Sequence, residues 1–317
     1  MHFVCADGEP QYRELLDPGQ LARLEAEGHE LDWFDGVPDS AEGWIERLRG
    51  ADGLLLLWRL PPGVLAASPT IQVVSFAGTG VETYVDFDEA RSAGVTVCNV
   101  PRYGANAIAE HALALILAVA RGVPEGDRAV RAGSWEQTQG VELRGRRLGV
   151  VGAGPIGARL IQLGQALGMT VVCWTRRRSP ERERELGAPL VELDELFASS
   201  DVVSLHLAHG PETDRIVDRR LLGLLAPHAI LVNTARGALV DEQALAEVLE
   251  AGAIRGAGLD VLATEPPPPG HPLLSCPRVV VTPHIGFNTA EASTELVRVT
   301  LENLLAFAGG EPQNVRA

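Results

Sequence analysis

Apolar and polar positions divide the chain into two regimes. Over roughly the first hundred residues, short apolar runs at 3–5, 53–58, 71–76 and 95–99 read as strands of a small α/β unit, and 17–28 reads as a helix opening at Asp17-Pro18. The stretch 105–121 reads as one long helix, and 122–145 is polar and irregular with helical pieces. From Arg147 onward strand and helix alternate. The strand cores are 148–152, 169–175, 202–207, 230–234, 258–261 and 279–282, and a last helix covers 291–308. Such a βαβ series predicts a parallel sheet with helices on both faces.

The pivot of the pattern is Leu148-Gly149-Val150-Val151-Gly152-Ala153-Gly154-Pro155-Ile156-Gly157. Here a G-x-G-x-x-G joins an apolar run to a helix start. Gly152 permits a tight turn, Gly154 lets a phosphate approach the backbone, and Gly157 lets helix and strand pack closely. A pyrophosphate can then sit on the helix N-terminus. An isolated motif of this kind could be an ordinary glycine-rich turn, but the flanking strand and helix supply the context of a dinucleotide site. Pro155 has no N–H, so Ile156 must carry the phosphate contact there, while proline at a first helical position preserves the turn. A second glycine-rich turn, Ala77-Gly78-Thr79-Gly80-Val81-Glu82, follows the 71–76 strand. It is either a plain connection or a set of backbone N–H groups aimed at an anion.

A chain of 317 residues suits two domains of moderate size. With the dinucleotide unit in mid-chain, the segments on either side are expected to build the other domain together. The expected division is 1–99 plus 287–317 for substrate binding and 100–286 for the dinucleotide. Two crossings of the chain would make a hinge, and a cleft between lobes would exclude water.

Composition narrows the chemistry. A formal charge of −15 disfavours nucleic acid as a partner. All 27 basic residues are arginine, which excludes a Schiff-base or P-loop lysine. No apolar run reaches the ~20 residues that span a bilayer, and the longest, near 112–120, ends at Arg121. Met1-His2-Phe3-Val4 lacks a signal-peptide layout, and the four cysteines show no C-x-x-C. A cytoplasmic setting is therefore expected, without disulfides, a metal or a membrane.

Three charged residues follow strand ends in the second half: Arg236 after 230–234, Glu265 after 258–261, and His284 after 279–282. Strand C-termini of an open parallel sheet line the crevice where ligands bind. Reduction of a 2-oxo acid needs a cation to fork the carboxylate, which Arg supplies. It also needs a proton donor near neutral pH, which His supplies, and a carboxylate to orient that His. Singly, Arg236 could cap a helix, Glu265 could be a solvated charge and His284 a satisfied core histidine. Their convergence on one sheet edge favours catalysis.

The ordered segments Ala77–Glu82, 106–112, 152–157, 233–237, 258–266 and 282–286 resemble the D-isomer-specific 2-hydroxyacid dehydrogenase family over essentially the whole chain, in particular its glyoxylate/hydroxypyruvate reductases. The resemblance implies a Rossmann-type doubly wound parallel sheet inserted in a second, smaller flavodoxin-like α/β domain. It implies Arg236 for substrate binding, His284 as acid/base and Glu265 as its partner. It further implies that amides near Ala77 and Gly78 hold the substrate carboxylate and that Asp260 meets the nicotinamide amide. Ala208, Thr234 and Ala235 join the cofactor set, Ala208 standing where relatives often have Pro. Family members usually dimerise through the cofactor domain, so a homodimer is expected, with 112–120 as its apolar surface. The Glu-His pairing disfavours the formate-oxidising branch, which resembles this pattern with Gln beside the His.

Where NAD-preferring relatives carry Asp at the end of the second strand, this chain has Thr175-Arg176-Arg177-Arg178. The repulsive carboxylate is gone and guanidinium groups offer a site for a 2′-phosphate, so NADP(H) is the expected cofactor, with NAD(H) as the second choice. A solvated basic strip is the alternative reading. Arg59 and Arg102 fall in regions that face the cleft in this family. They could meet a second anionic group on the substrate or be surface arginines. Two other functions compete with the 2-oxo acid reductase: oxidation of an inorganic anion such as phosphite, and cofactor sensing without catalysis.

Overall fold

Eleven strands carry the alternating pattern in the computed structural model, which describes residues 1–317, and every strand pair is parallel. They divide between a flanking unit, Met1–Tyr103 with Thr289–Ala317, and a central unit, Gly104–Asn288. The divisions fall a few residues beyond those drawn from the sequence.

The flanking unit holds β1 (His2–Gly8), β2 (Glu30–Asp35), β3 (Gly53–Leu56), β4 (Val73–Phe76) and β5 (Thr96–Cys98) in the order β2-β1-β3-β4-β5. This is the flavodoxin-like order. β3 and β4 are buried throughout, as continuous apolar runs require when both faces are covered. The last helix, Ala290–Ala308, returns the chain to this unit. Its fully buried Asn303 donates to Ser75 Oγ at 3.1 Å and to the Asn99 carbonyl at 3.0 Å, so the buried amide is satisfied.

The central unit holds β6 (Arg147–Val151), β7 (Thr170–Trp174), β8 (Val202–Leu205), β9 (Ile230–Asn233), β10 (Gly256–Leu259) and β11 (Val279–Val281), ordered β11-β10-β9-β8-β6-β7. From β6 the chain goes to β7 on one side and then to β8 on the other. The switch point therefore lies between the C-terminal ends of β6 and β8, where a doubly wound sheet binds its ligand. The helix Ala105–Arg121 has the bounds that the periodicity gives, and it lies close on β10. A Cβ on Gly258 would come within 2.8 Å of Leu115 Cβ, so glycine is what lets helix and strand approach.

Candidate active site

The phosphate turn is shaped by its three glycines. Gly152 sits at φ +99°, and a Cβ there would lie 2.5 Å from the His206 carbonyl oxygen. A Cβ on Gly157 would lie 2.0 Å from the Gly152 carbonyl oxygen, whereas Gly154 faces open space. The helix Pro155–Ala166 starts from Gly154 with no side-chain cap. Its first backbone bond runs from Ala158 N–H to Gly154 O at 2.9 Å, which leaves the Ile156 and Gly157 N–H groups without acceptors. Nearby, Thr234 Oγ1 and His206 Nδ1 are buried polar atoms with no partner. An open glycine cradle, free helix N–H groups and orphaned polar atoms at the switch point fit a dinucleotide pyrophosphate. Ala208 is exposed just beyond β8, its carbonyl accepting from Thr213 Oγ1 at 2.8 Å.

The three charged residues meet at the neighbouring strand ends. Asn233 folds the chain after β9: its Oδ1 accepts from Ala235 N–H at 3.0 Å and its Nδ2 donates to the Arg236 carbonyl at 2.8 Å. At Gly237 a Cβ would lie 1.9 Å from the Leu262 carbonyl carbon, so only glycine admits the loop that bears Glu265. Glu265 Oε1 accepts from Leu262 N–H at 3.0 Å, and Oε2 lies 2.7 Å from His284 Nδ1. His284 is about one third exposed and its Nε2 has no protein partner. Burial pushes the Glu265 carboxyl up, but the His284 bond and charge, the Leu262 N–H and the Arg236 charge outweigh it, and the net shift is downward. Arg236, Glu265 and His284 thus form one electrostatic group, with Glu265 an anion at neutral pH.

Asp260 holds the His284 loop. It is 2 % exposed, and its Oδ1 accepts from Thr282 Oγ1 at 2.6 Å and Ile285 N–H at 2.9 Å, its Oδ2 from Gly286 N–H at 2.8 Å. His111 Nε2, from the helix Ala105–Arg121, lies 2.9 Å from Thr282 Oγ1 and 3.2 Å from Asp260 Oδ1. Burial raises the Asp260 carboxyl, yet His111, Thr282 and the two loop amides together bring it below its ordinary value. The expected role toward a nicotinamide amide therefore shares this carboxylate with a structural one. Glu242 braces the Glu265 loop, accepting from Ala263 N–H at 2.8 Å while its other oxygen lies 3.2 Å from His271 Nε2. Sequence reasoning misses His111 and Glu242, because each acts on a loop remote in the chain.

The arginines after β7 are not equivalent. Arg176 pairs with Glu212 at 2.9 Å, Arg178 is forked by both oxygens of Glu192, and Arg177 is exposed without a partner. Thr175 is half-buried at the strand end.

In the flanking unit one expectation needs correction. Ala77 N–H donates to Leu56 O at 2.7 Å and Gly78 N–H to Phe76 O at 2.9 Å, so neither is available to a carboxylate. The ladder of β3 and β4 simply continues through Ala77. Among the amides of this turn without a backbone acceptor are those of Thr79 and Gly80, whose loop is tied down by Asn99 Nδ2 to Thr79 O at 2.6 Å. Arg59 and Arg102 are exposed and unpartnered, Arg102 at φ +71°. The apolar stretch expected to dimerise is mostly absorbed: Ala112, Leu115, Ile116, Val119 and Ala120 are buried within the central unit. Exposed apolar surface lies instead at Leu117, Val123, Val130 and Trp135, the last 82 % exposed.

Residues 113–286 match the family described as D-isomer specific 2-hydroxyacid dehydrogenase, NAD binding domain. A glyoxylate reductase of Aeropyrum pernix is 39% identical over 325 residues, spanning 99% of this chain and 94% of that one. A D-3-phosphoglycerate dehydrogenase of Mycobacterium tuberculosis is 41% identical over 301 residues, or 93% of this chain. The chain spans only 56% of that relative's length. Among solved structures, an NADPH-dependent glyoxylate/hydroxypyruvate reductase from Sinorhizobium meliloti, in complex with NADP and malonate, superposes with a TM-score of 0.85 at 27% identity, covering 100% of this chain and 96% of that one.

Proposed function

Because the chain belongs to the D-isomer-specific 2-hydroxyacid dehydrogenase family, we propose that it reduces small 2-oxo acids to D-2-hydroxy acids, or runs the reverse oxidation, with NADPH preferred over NADH. The observation that carries the reading is the 2.7 Å bond from His284 Nδ1 to Glu265, a carboxylate that also feels the Arg236 charge, and this bond leaves Nε2 free. When bound, the nicotinamide supplies or accepts the hydride. The guanidinium of Arg236 forks the substrate carboxylate and fixes the carbonyl in one orientation. His284, protonated, gives its Nε2 proton to the carbonyl oxygen as that oxygen gains charge, and takes it back in the oxidation. Glu265 holds the ring by Nδ1–H and offsets the imidazolium charge while it lasts.

The NADPH preference rests on Thr175, which brings no carboxylate to the ribose, and on the unpaired Arg177 beside it. Arg59 and Arg102, cations without partners, favour substrates with a second anionic group. The exposed Val123, Val130 and Trp135 support a homodimer in which a second copy covers this strip. Cofactor oxidation with a panel of 2-oxo acids, including glyoxylate, hydroxypyruvate and a dianionic member, tests the activity. No turnover of any of them would defeat it. Equal kcat/KM with NADH and NADPH would defeat the preference.

A further inference from the structure

Arg176, Arg177, Arg178 and Arg182 follow the end of β7, which borders the phosphate turn in a notch where a doubly wound sheet places the adenosine ribose. The notch is defined by register. Val151 pairs with Trp174, and Gly152 N–H donates to Trp174 O at 2.8 Å, so Ala153 sits next to the residues that end β7. Two of the four arginines are already taken. Arg176 pairs with Glu212, and Arg178 is forked by Glu192, whose carboxyl is lowered by that bond. Arg177 points to solvent.

Arg182 differs from all three. It lies on the helix Pro180–Leu186, whose N-cap Ser179 Oγ accepts from Arg182 N–H at 3.1 Å. From there its side chain reaches back to the turn, Nη2 donating to the carbonyl of Ala153, inside the G-x-G-x-x-G itself. Its charge is also felt at the Cys173 thiol of β7, where it opposes the rise that burial causes. Nη1 meets Glu185 at 2.9 Å, a carboxylate that is largely exposed. The anchoring carbonyl is neutral, and what sets Arg182 apart is this tether to the phosphate turn, its exposed Glu185 pair engaging Nη1 alone. Its Nε–H and the second hydrogens of both terminal nitrogens remain to donate.

We infer that Arg182, anchored on the Ala153 carbonyl, is the residue that recognises the 2′-phosphate of the dinucleotide, with Arg177 closing on it from solvent. The inference rests on the NADPH preference proposed above. A guanidinium held by a backbone carbonyl is pre-organised, so a phosphate gains a charge-assisted fork without ordering a free side chain. Thr175 leaves room and no opposing charge.

Binding by the full chain, read by calorimetry with NADPH, NADH, adenosine 2′,5′-bisphosphate and 5′-AMP, tests this without turnover. Arg182→Gln is expected to weaken NADPH and the bisphosphate by about tenfold or more while NADH and 5′-AMP stay within about twofold. Arg184→Gln, two residues along the same helix and paired with Glu181 at 3.0 Å, is expected to leave all four unchanged. An Arg182→Gln protein that keeps the wild-type ratio of NADPH to NADH affinity overturns the assignment. So does one that loses all four ligands equally, because the side chain would then only brace the turn. Equal wild-type affinity for the two dinucleotides instead overturns the preference, while the bisphosphate against 5′-AMP comparison still reads Arg182.

Discussion

At His284 the backbone sits at φ +53°, the left-handed region that non-glycine residues adopt uncommonly, asparagine, aspartate and histidine more often than the rest. The surrounding bonds over-determine it: His284 N–H lies 2.8 Å from the Asp260 carbonyl, and the Asp260 carboxylate collects the next two amides. His284→Ala is accordingly expected to lower kcat by about 10²–10⁴-fold with NADPH affinity unchanged. Activity within about fivefold of wild type would remove His284 from the proton transfer. Glu265→Gln keeps a hydrogen-bonding partner for the ring and deletes its charge, so kcat is expected to fall by about ten- to a hundredfold with a smaller change in KM. Arg236, Glu265 and His284 were legible in the sequence because each stands just past an apolar run that could only be a strand. The partnership of His111 with Thr282 was not, since 171 residues separate them and nothing in the segments 106–112 and 282–286 shows that the two meet. The free amides of the second glycine turn were misplaced for a related reason: composition does not show how far the ladder of β4 runs.

Among the elements, the helix Ala105–Arg121 does two things at once. Leu115 packs on Gly258 of β10, and one turn earlier His111 grips the loop that follows β11. A valine at Gly258 would overlap Leu115 and push the helix outward, and with it His111. His111→Leu keeps most of the bulk and deletes both polar contacts. We expect kcat to drop by about tenfold, KM and NADPH affinity to stay near wild type, and amide exchange at 284–286 to quicken. His111→Gln, which can still donate to Thr282, should recover part of kcat. A KM effect without a kcat effect would contradict the positioning role. Helix bounds such as these were readable because the apolar residues recur with a helical period. The edge strand β2, Glu-Leu-Asp-Trp-Phe-Asp, was not read, because it has no apolar run and its solvent side is charged, as an unpaired sheet edge favours.

Across the whole molecule the two units carry opposite responses to acid. In the flanking unit Asp7, fully buried at the end of β1, accepts from Trp58 N–H at 2.7 Å and Leu57 N–H at 3.1 Å, yet burial still pushes its carboxyl up to about 6. The folded state therefore holds that proton more tightly than the unfolded chain does. The stability Asp7 contributes is full below an ordinary carboxylate pKa and is lost as pH rises through about 6. In the central unit His206 runs the other way, since burial brings its ring down to about 4. Its contribution is full above an ordinary histidine pKa and is lost as pH falls through about 4. Asp260 and Glu265, both lowered, add to the same loss. Asp7 and His206 each involve a shift worth up to about 3 kcal/mol, large against the stability of a domain. Acidification from pH 7 to 4.5 should therefore open the central unit first. Hydrogen exchange should quicken in β6, β8 and β9 while β1, β3 and β4 stay protected. Asp7→Asn should flatten the response of the flanking unit between pH 4 and 6, and loss of protection in β1 and β3 ahead of β6 would show that other groups govern acid unfolding.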